Sequence, residues 1–501
     1  MLDKEINDYL HEVLKNGDHL KEELPEGSFR KLFWQQQMKA LSCNDARQMR
    51  WHPLMIKWCL NIKLRSTAAY KVMRNSGFLK LPSERTLRDY THWTKMSSGF
   101  QPSTFEQLLV EARYKELKDW QKFTVLLHDE IKIQNDLVYC KHTGELIGFA
   151  NLGEINNSLV EFEKQCQDEM SRTPDIASYM LVFMVRGVTT TLEYPVAHFP
   201  CGNCITADFL FPLVSDAIRH LETIGFKVAV STCDGASSNR KFIKMHGSKK
   251  GIAIHKTKNI YSPDERDPYF FSDVPHLVKT VRNNWENSGW NKKSRQLWND
   301  GCSISWIHIV NLYKDDLKRG GLMLVPKLKC EHIYLTSYSR MKVRLAAQVL
   351  SSSVAHALDA FYNESVKGTV RFILMFDKFF DCLNTRSLTE ATRRRKPDVA
   401  PYRMNSFVEL TTNLLARGDI QFILSERFNQ DPLESHFGKH RQMKGGNDNP
   451  TVAQFNYNDS SLRLLGSQAL ASVNGNTKRS CTHEVVDNTP LPKRPRKPPK
   501  S

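Results

Sequence analysis

The sequence predicts a mixed α/β sheet set between helical regions, and three observations carry that prediction. Phe123-Thr124-Val125-Leu126-Leu127, residues 179–195 and Phe226-Lys227-Val228-Ala229-Val230 are apolar runs of strand length. An amphipathic helix over 206–224 separates the last two, with Phe209, Leu210, Leu213, Ile218, Leu221 and Ile224 apolar and Gly225 as its stop. Acids stand where the first and last runs end, Asp129 and Glu130 after one and Asp234 after the other. Strands and helix in this order begin a sheet flanked by helices.

Ahead of the sheet, residues 3–20 and Phe29 to Leu41 read as helices, either a dimerising arm or the edge of a helical domain. Residues 52–94 read as a compact helical unit: Leu54 to Ile62, Thr67 to Met73, a stop at Asn75-Ser76-Gly77, and a last helix with Ser83 as N-cap. That last helix carries Arg85, Arg88 and His92 among Leu87, Tyr90 and Trp93. A basic final helix after a Gly-containing turn suits a helix-turn-helix DNA reader. The same spacing also fits an ordinary helical bundle with a solvated basic face.

Within the sheet region, Leu137 to Cys140 and Glu145 to Phe149 read as strand, turn, strand. From about 276 to 425 the chain reads mostly helical, most clearly at Met341 to Phe361 and Val370 to Leu383, with a charged loop at Thr392-Arg393-Arg394-Arg395-Lys396-Pro397. Leu424 to Gln442 returns to helix, and a basic, Pro-rich tail predicted to be disordered closes the chain over 461–501. Lys493, Arg494, Arg496, Lys497 and Lys500 make that tail a nuclear localisation signal or a non-specific DNA arm, with a plain solvated tail as the alternative.

At 501 residues the chain suggests about three domains. Its 71 Lys and Arg against 54 Asp and Glu give +17, which favours a polyanionic partner. No apolar run approaches the roughly 20 residues of a membrane span, and the first residues hold no apolar signal segment. Eleven scattered cysteines fit reduced thiols in a cytosolic or nuclear protein. His198 with Cys201-Gly202-Asn203-Cys204 has partial zinc spacing, but no second pair lies near.

Asp129, Asp234 and Glu434 stand out by position, two at strand ends and one in a helix. Two strand-end carboxylates and one helical carboxylate suit hard Mg2+ or Mn2+, and two such ions can activate an attacking oxygen and stabilise a leaving one. Asp129 and Glu130 point to opposite faces of their strand, so only one enters such a site, and because both faces are apolar, parity does not choose. Asp431 and Glu434 share a helix face, so either could ligate. Strand-end acids are common, and spacing alone leaves these three as ordinary surface acids.

Five ordered blocks add a resemblance. His128-Asp129-Glu130-Ile131-Lys132 with residues 138–149, Cys233 to Arg240, Asp273 to Asn284, Met341 to Ser351, and Asn429 to Glu434 with Phe437-Gly438 and residues 445–451 resemble successive segments of P-element-type transposases, including those with THAP domains. The resemblance spans roughly residues 50–460. It implies an RNase H-like domain at 120–284 and 425–460, interrupted by a helical GTP-binding insertion at 285–424 and preceded by a helical region at 1–50 and a helix-turn-helix at 51–100. It also implies a DDE triad of Asp129, Asp234 and Glu434 holding two Mg2+ or Mn2+ ions, with Glu130 and Asp431 in support.

Phe380-Asp381 resembles the family's guanine-binding segment, with GTP as cofactor for synapsis; core and surface roles for the two residues stay open. Before residue 50 Cys43 is the only cysteine and no C2CH set is present, so the family's zinc-binding DNA module is expected to be missing from this chain. The 52–94 unit would then carry more of the DNA binding, with Arg85 and Arg88, while Lys439, Arg441 and Lys444 after the catalytic helix are candidate phosphate contacts. The function implied is a nuclear cut-and-paste DNA transposase acting as a homo-oligomer on transposon ends and target DNA. The alternatives are a domesticated, catalytically silent nuclear DNA-binding regulator and a nucleotide-binding scaffold.

Overall fold

The computed structural model describes residues 28–465, apart from 44, 46–47, 92–97, 141–143, 167–174, 248–253, 290–294, 363, 388–404 and 444–446. The helix expected over 3–20, His92, the Thr392–Pro397 loop, Lys444 and the tail from 466 onward lie outside the described residues.

A five-stranded mixed sheet forms the centre, in the order β5-β4-β1-β6-β7. The strands are β1 (Phe123–Lys132), β4 (Tyr179–Gly187), β5 (Glu193–Cys201), β6 (Lys227–Cys233) and β7 (Tyr269–Ser272), with β2 (Val138–Tyr139) and β3 (Leu146–Ile147) as a separate antiparallel hairpin. β5, β4 and β1 run antiparallel; β1, β6 and β7 run parallel. The expected α/β fold, with an RNase H-like sheet interrupted by an insertion, is therefore present.

Both faces of the sheet are buried, as continuous apolar strands require. On one face Leu126, Leu181, Phe183, Val196 and Phe199 pack with helix Ala207–Thr223 and with Phe105 and Leu108 of helix Pro102–Glu111. On the other, Val125, Leu127, Met180, Val182 and Phe271 pack against Leu410 and Leu414 of helix Asn405–Leu415, Leu433 and Phe437 of helix Asp431–Gln442, and Phe455 of helix Val452–Leu465. Residues 102–111 and 405–420 thus serve the sheet, although the sequence reading began the sheet domain at 120 and gave 405–424 to the insertion. The final helix also takes in 461–465, which the sequence reading assigned to the tail.

The N-terminal helices are Phe29–Ser42, Pro53–Arg65, Thr67–Asn75 and Glu84–Thr91. Ser83 caps the last of them as expected, its Oγ accepting from the Thr86 amide at 3.0 Å. Met55, Ile56, Leu60, Tyr70 and Leu87 share one core with Leu462 and Leu465, so this unit is packed onto the last helix. Arg85 and Arg88 are exposed.

The insertion has its own core, built around Trp285, Trp306, Ile309, Val349, Val354 and Ile373. It is not wholly helical, because β8 (Leu297–Asn299) and β9 (Cys302–Ile304) form a hairpin at its start. The single helix expected over 341–361 is three: Ser337–Met341, Val343–Val349 and Ser352–Phe361. Lys342 is extended, and Arg282 donates to the carbonyls of Ser339 and Arg340 at 3.0 and 3.3 Å, taking acceptors from the first helix end. Ser351 is extended too, with its hydroxyl turned back to the Gln348 carbonyl at 2.8 Å, a local bond that competes with helix. The ten cysteines among the described residues are free, and none of the described helices is long and apolar enough to cross a membrane.

One histidine ties the fold to pH. His246 stacks on Phe270 at 3.9 Å and on Phe211 at 5.2 Å, and burial, aided by neighbouring His255, pushes its pKa down to about 4. The folded ring stays neutral while the unfolded ring charges near 6.5, so the stability it contributes is complete above pH 6.5 and is lost as pH falls toward 4. Acid unfolding of His246→Phe, followed by circular dichroism, should begin at lower pH than in the wild type; an unchanged acid limb would refute this origin.

Candidate active site

β1 and β6 bring two acids side by side. Their last paired residues are Leu127 and Thr232. Asp129 and Asp234 each lie two residues further, so they continue the same register on neighbouring strands, with side chains to one side. Asp129 shares parity with Val125 and Leu127, which line the face that helix Asp431–Gln442 covers. That packing chooses between Asp129 and Glu130, which the sequence left open. Glu130 turns to the other face and accepts from the Ile205 amide at 2.8 Å.

Glu434 lies in the first turn of helix Asp431–Gln442, one position beyond Leu433, which is fully buried against the sheet. Helix was expected over 424–442. Instead a 3-10 turn, Ser425–Phe428, is followed by extended Asn429, and the α-helix starts at Asp431 with Pro432 in its first turn. Gln430 fixes this start: its amide donates to Asp273 Oδ1 at 2.8 Å, and its side-chain amide donates to the His128 carbonyl at 2.7 Å. The helix bearing Glu434 is thereby stapled to the strand bearing Asp129.

Asp273 and His276 complete the arrangement. Asp273 is 1% exposed and caps helix Val274–Trp285, its Oδ2 accepting from the His276 amide at 2.9 Å. The His276 ring lies between two acids, Nδ1 3.0 Å from Asp273 and Nε2 3.2 Å from Glu434. Burial opposes charge on that ring, but the Asp273 bond and the two carboxylates outweigh it and raise the pKa to about 9. Asp234 accepts from the Ala236 amide at 2.8 Å and from Asn239 Nδ2 at 2.6 Å.

The carboxylates act on one another. Burial, then Asp234 and Glu434, push Asp129 up to about 7, against His276 and the Glu130 amide. Glu434 is also raised, chiefly by burial, with His276 opposing. Asp129 is thus held back from ionising chiefly by burial, with Asp234 and Glu434 adding to it, and carboxylate oxygens are the donors a hard divalent cation prefers.

Asp431 points elsewhere, into a cluster with Arg386 at 2.8 Å; Arg386 also reaches Glu426 at 3.5 Å, and Arg186 of β4 reaches Asn429 at 3.0 Å. Lys439 is half-buried and burial lowers its pKa, while Arg441 is exposed. Phe380 is half-buried against the insertion core, and Asp381 follows it on helix Lys367–Leu383. Cys201 sits in the sheet core and Cys204 is exposed, while His198 faces the opposite side toward Asn456, so the partial zinc pattern does not assemble. Asp273, His276, Gln430 and Asn239 went unassigned in the sequence reading. All four lie in blocks that carry the resemblance (Cys233 to Arg240, Asp273 to Asn284 and Asn429 to Glu434), and those blocks are the signal for them.

Comparison with known proteins follows the same layout. The chain matches the TNP-like RNase H N-terminal domain over residues 96–247, the TNP-like GTP-binding insertion domain over 275–397 and the TNP-like RNase H C-terminal domain over 427–457. It is 24% identical over 472 residues to the Transposable element P transposase of Drosophila melanogaster, across 86% of this chain and 56% of that protein. The chain thus spans little more than half the length of that relative. Its fold resembles the solved Drosophila P element transposase strand transfer complex, with a TM-score of 0.67 and 21% identity, over 87% of this chain and 97% of that one. Three TNP-like domains, matched in order between residues 96 and 457, show that the chain belongs to the TNP-like family.

Proposed function

We propose that this chain is a DDE-type DNA transposase that cuts transposon ends and joins them to target DNA. The observation that carries the reading is that Asp129 and Asp234 end neighbouring central strands, with Glu434 on the helix covering that face, and that burial, Asp234 and Glu434 together push Asp129 up to about 7. Asp129, Asp234 and Glu434 would hold two Mg2+ or Mn2+ ions. Such ions, when bound, supply Lewis-acid activation of the attacking oxygen and charge neutralisation at the phosphate.

In the cut, a water oxygen bonds to phosphorus as the P–O3′ bond breaks and the departing 3′ oxygen takes up a proton. In joining, that 3′-hydroxyl gives up its proton as its oxygen bonds to a target phosphorus, and the target P–O3′ bond breaks with the departing 3′ oxygen taking up a proton. His276 orients Glu434 from behind, and Asp273 holds His276 in place. Asn239 and the Ala236 amide fix the Asp234 carboxylate, so the acids need little rearrangement before reaction.

In the insertion, GTP would stack on Phe380, with the Asp381 carboxylate accepting from the guanine edge. Consecutive helix positions point about 100° apart, which suits one contact to the face of a base and one to its edge. Asp431 would support the catalytic helix through Arg386. A protein that acts on chromosomal DNA would work in the nucleus.

Exposed Arg85 and Arg88 would contact phosphates. Replacing both by alanine should lower the slope of log affinity against log salt by about 0.9 per lost contact. Fluorescence anisotropy at several salt concentrations measures this, and an unchanged slope would remove the helix Glu84–Thr91 from the DNA surface.

The deciding experiment incubates purified protein with labelled terminal-repeat DNA and Mg2+ or Mn2+. Cleavage that needs the metal and disappears in Glu434→Gln supports the reading. DNA binding without cleavage by the wild type would leave a silent DNA-binding regulator in its place.

A further inference from the structure

Behind the acids lies a second cluster that the proposed chemistry does not use. His436 and His440 are one turn apart on the catalytic helix, so their rings share a face. Their Nε2 atoms stand 3.0 Å from each other. Asp459 comes from helix Val452–Leu465, with Oδ1 3.4 Å from His436 Nε2. All three residues are buried, and one ligand atom from each falls within 4.8 Å of the others.

The spacing matches a metal centre. Two atoms each 2.0–2.1 Å from zinc at the tetrahedral angle stand about 3.3 Å apart, close to the 3.0 and 3.4 Å found here. The donor set of two imidazoles and one carboxylate suits a borderline ion such as zinc better than Mg2+ or Mn2+. Its outer contacts are in place as well. Asp459 Oδ2 is held by Arg463 at 2.7 Å and faces His198 Nδ1 at 3.4 Å, leaving Oδ1 buried without a well-aligned hydrogen bond. The His440 ring stacks on Phe455 at 3.9 Å, which fixes its plane. Without a metal, the two Nε2 atoms hydrogen-bond to each other and Asp459 Oδ1 is left without a well-aligned hydrogen-bond partner.

We propose that His436, His440 and Asp459 supply three ligands to one zinc ion that clamps the catalytic helix to the helix behind it, the fourth tetrahedral position being left to water. His436 is two residues from Glu434, so the clamp would set the position of the catalytic acid from the buried side of its own helix. The inference does not depend on the transposase reading, since it concerns a site with different donors and a different metal class.

Loading the full chain with cobalt in place of zinc tests it. The expected result is the intense visible absorption of tetrahedral cobalt, retained in Asp129→Asn and lost in His440→Phe. Octahedral oxygen ligation at the triad gives only weak bands and is thereby distinguished. Elemental analysis of the dialysed wild type should find one zinc per chain, and a chelator should lower the melting temperature of wild type but not of His440→Phe. Circular dichroism verifies that the variant is folded; if it is not, the wild-type cobalt spectrum decides alone. A wild-type chain that shows no tetrahedral cobalt bands and keeps no zinc overturns the proposal, as does full zinc retention by a folded His440→Phe.

Discussion

Glu434→Gln should lower DNA cleavage and strand transfer by about a thousandfold or more while leaving DNA affinity and folding near wild type. The substitution keeps the size of the side chain and an oxygen that can face His276, 3.2 Å away, so the helix start held by Gln430 has no reason to shift. What it removes is charge. A carboxylate ligand lost from a two-metal site forfeits several kcal/mol of transition-state stabilisation, and about 4 kcal/mol corresponds to a factor near 10^3. Glu434 is half-buried, its pKa raised by burial and opposed by His276, so the neutral amide should cost the fold little. The measurement pairs single-turnover cleavage with a melting curve and an anisotropy titration. Cleavage within tenfold of wild type would strip Glu434 of its role. A large fall in melting temperature would mean that activity was lost through unfolding.

The three acids were legible in the sequence for different reasons. Asp129 and Asp234 follow short apolar runs that read as strands, and strand-end position survives errors of a residue or two, though a site role came to them only with the resemblance. Glu434 was legible only through resemblance, because nothing in its local spacing separates it from Asp431. The structure separates them by contact: Glu434 faces His276, and Asp431 faces Arg386. The choice of Asp129 over Glu130 needed tertiary structure, since β1 is apolar on both faces and only the packing of Leu433 and Phe437 tells which face carries the catalytic helix. The misread stretches share a cause. Residues 341–361 have helical periodicity throughout, yet Arg282, distant in sequence, takes carbonyls at one break, and the Ser351 hydroxyl takes the Gln348 carbonyl at the other. Helix Val452–Leu465 was hidden because it buries polar residues, Asn456, Asn458, Asp459 and Ser461, with Asn456 bonded to His198 and Asp459 facing His198 and His436 on other elements. A periodicity of apolar residues cannot register a face built from a buried polar network.

Asp273→Asn should lower the unfolding free energy by about 3 kcal/mol and reduce cleavage as well, although residue 273 is not among the three acids. Asp273 is 1% exposed, and its two oxygens receive the Gln430 amide at 2.8 Å, the His276 amide at 2.9 Å and the His276 ring at 3.0 Å. Asparagine fits the space, but its NH2 must replace one of those oxygens. Whichever way the amide turns, a donor then meets a donor in a site closed to water. A lost helix cap costs about 1 kcal/mol and a buried unmatched donor about 1–3 kcal/mol more. If the amide turns toward Gln430, the catalytic helix loses one of its two staples and Glu434 shifts. If it turns toward His276, the ring that orients Glu434 loses its anchoring charge. Either outcome reaches the active site, so stability and cleavage should fall together, with DNA affinity through the exposed Arg85 and Arg88 unchanged. Urea unfolding of both proteins measures the first effect and single-turnover cleavage the second. A variant within 0.5 kcal/mol of wild type, an interval about the size of an ordinary surface substitution, would show that Asp273 is not the joint between β7, helix Val274–Trp285 and the catalytic helix.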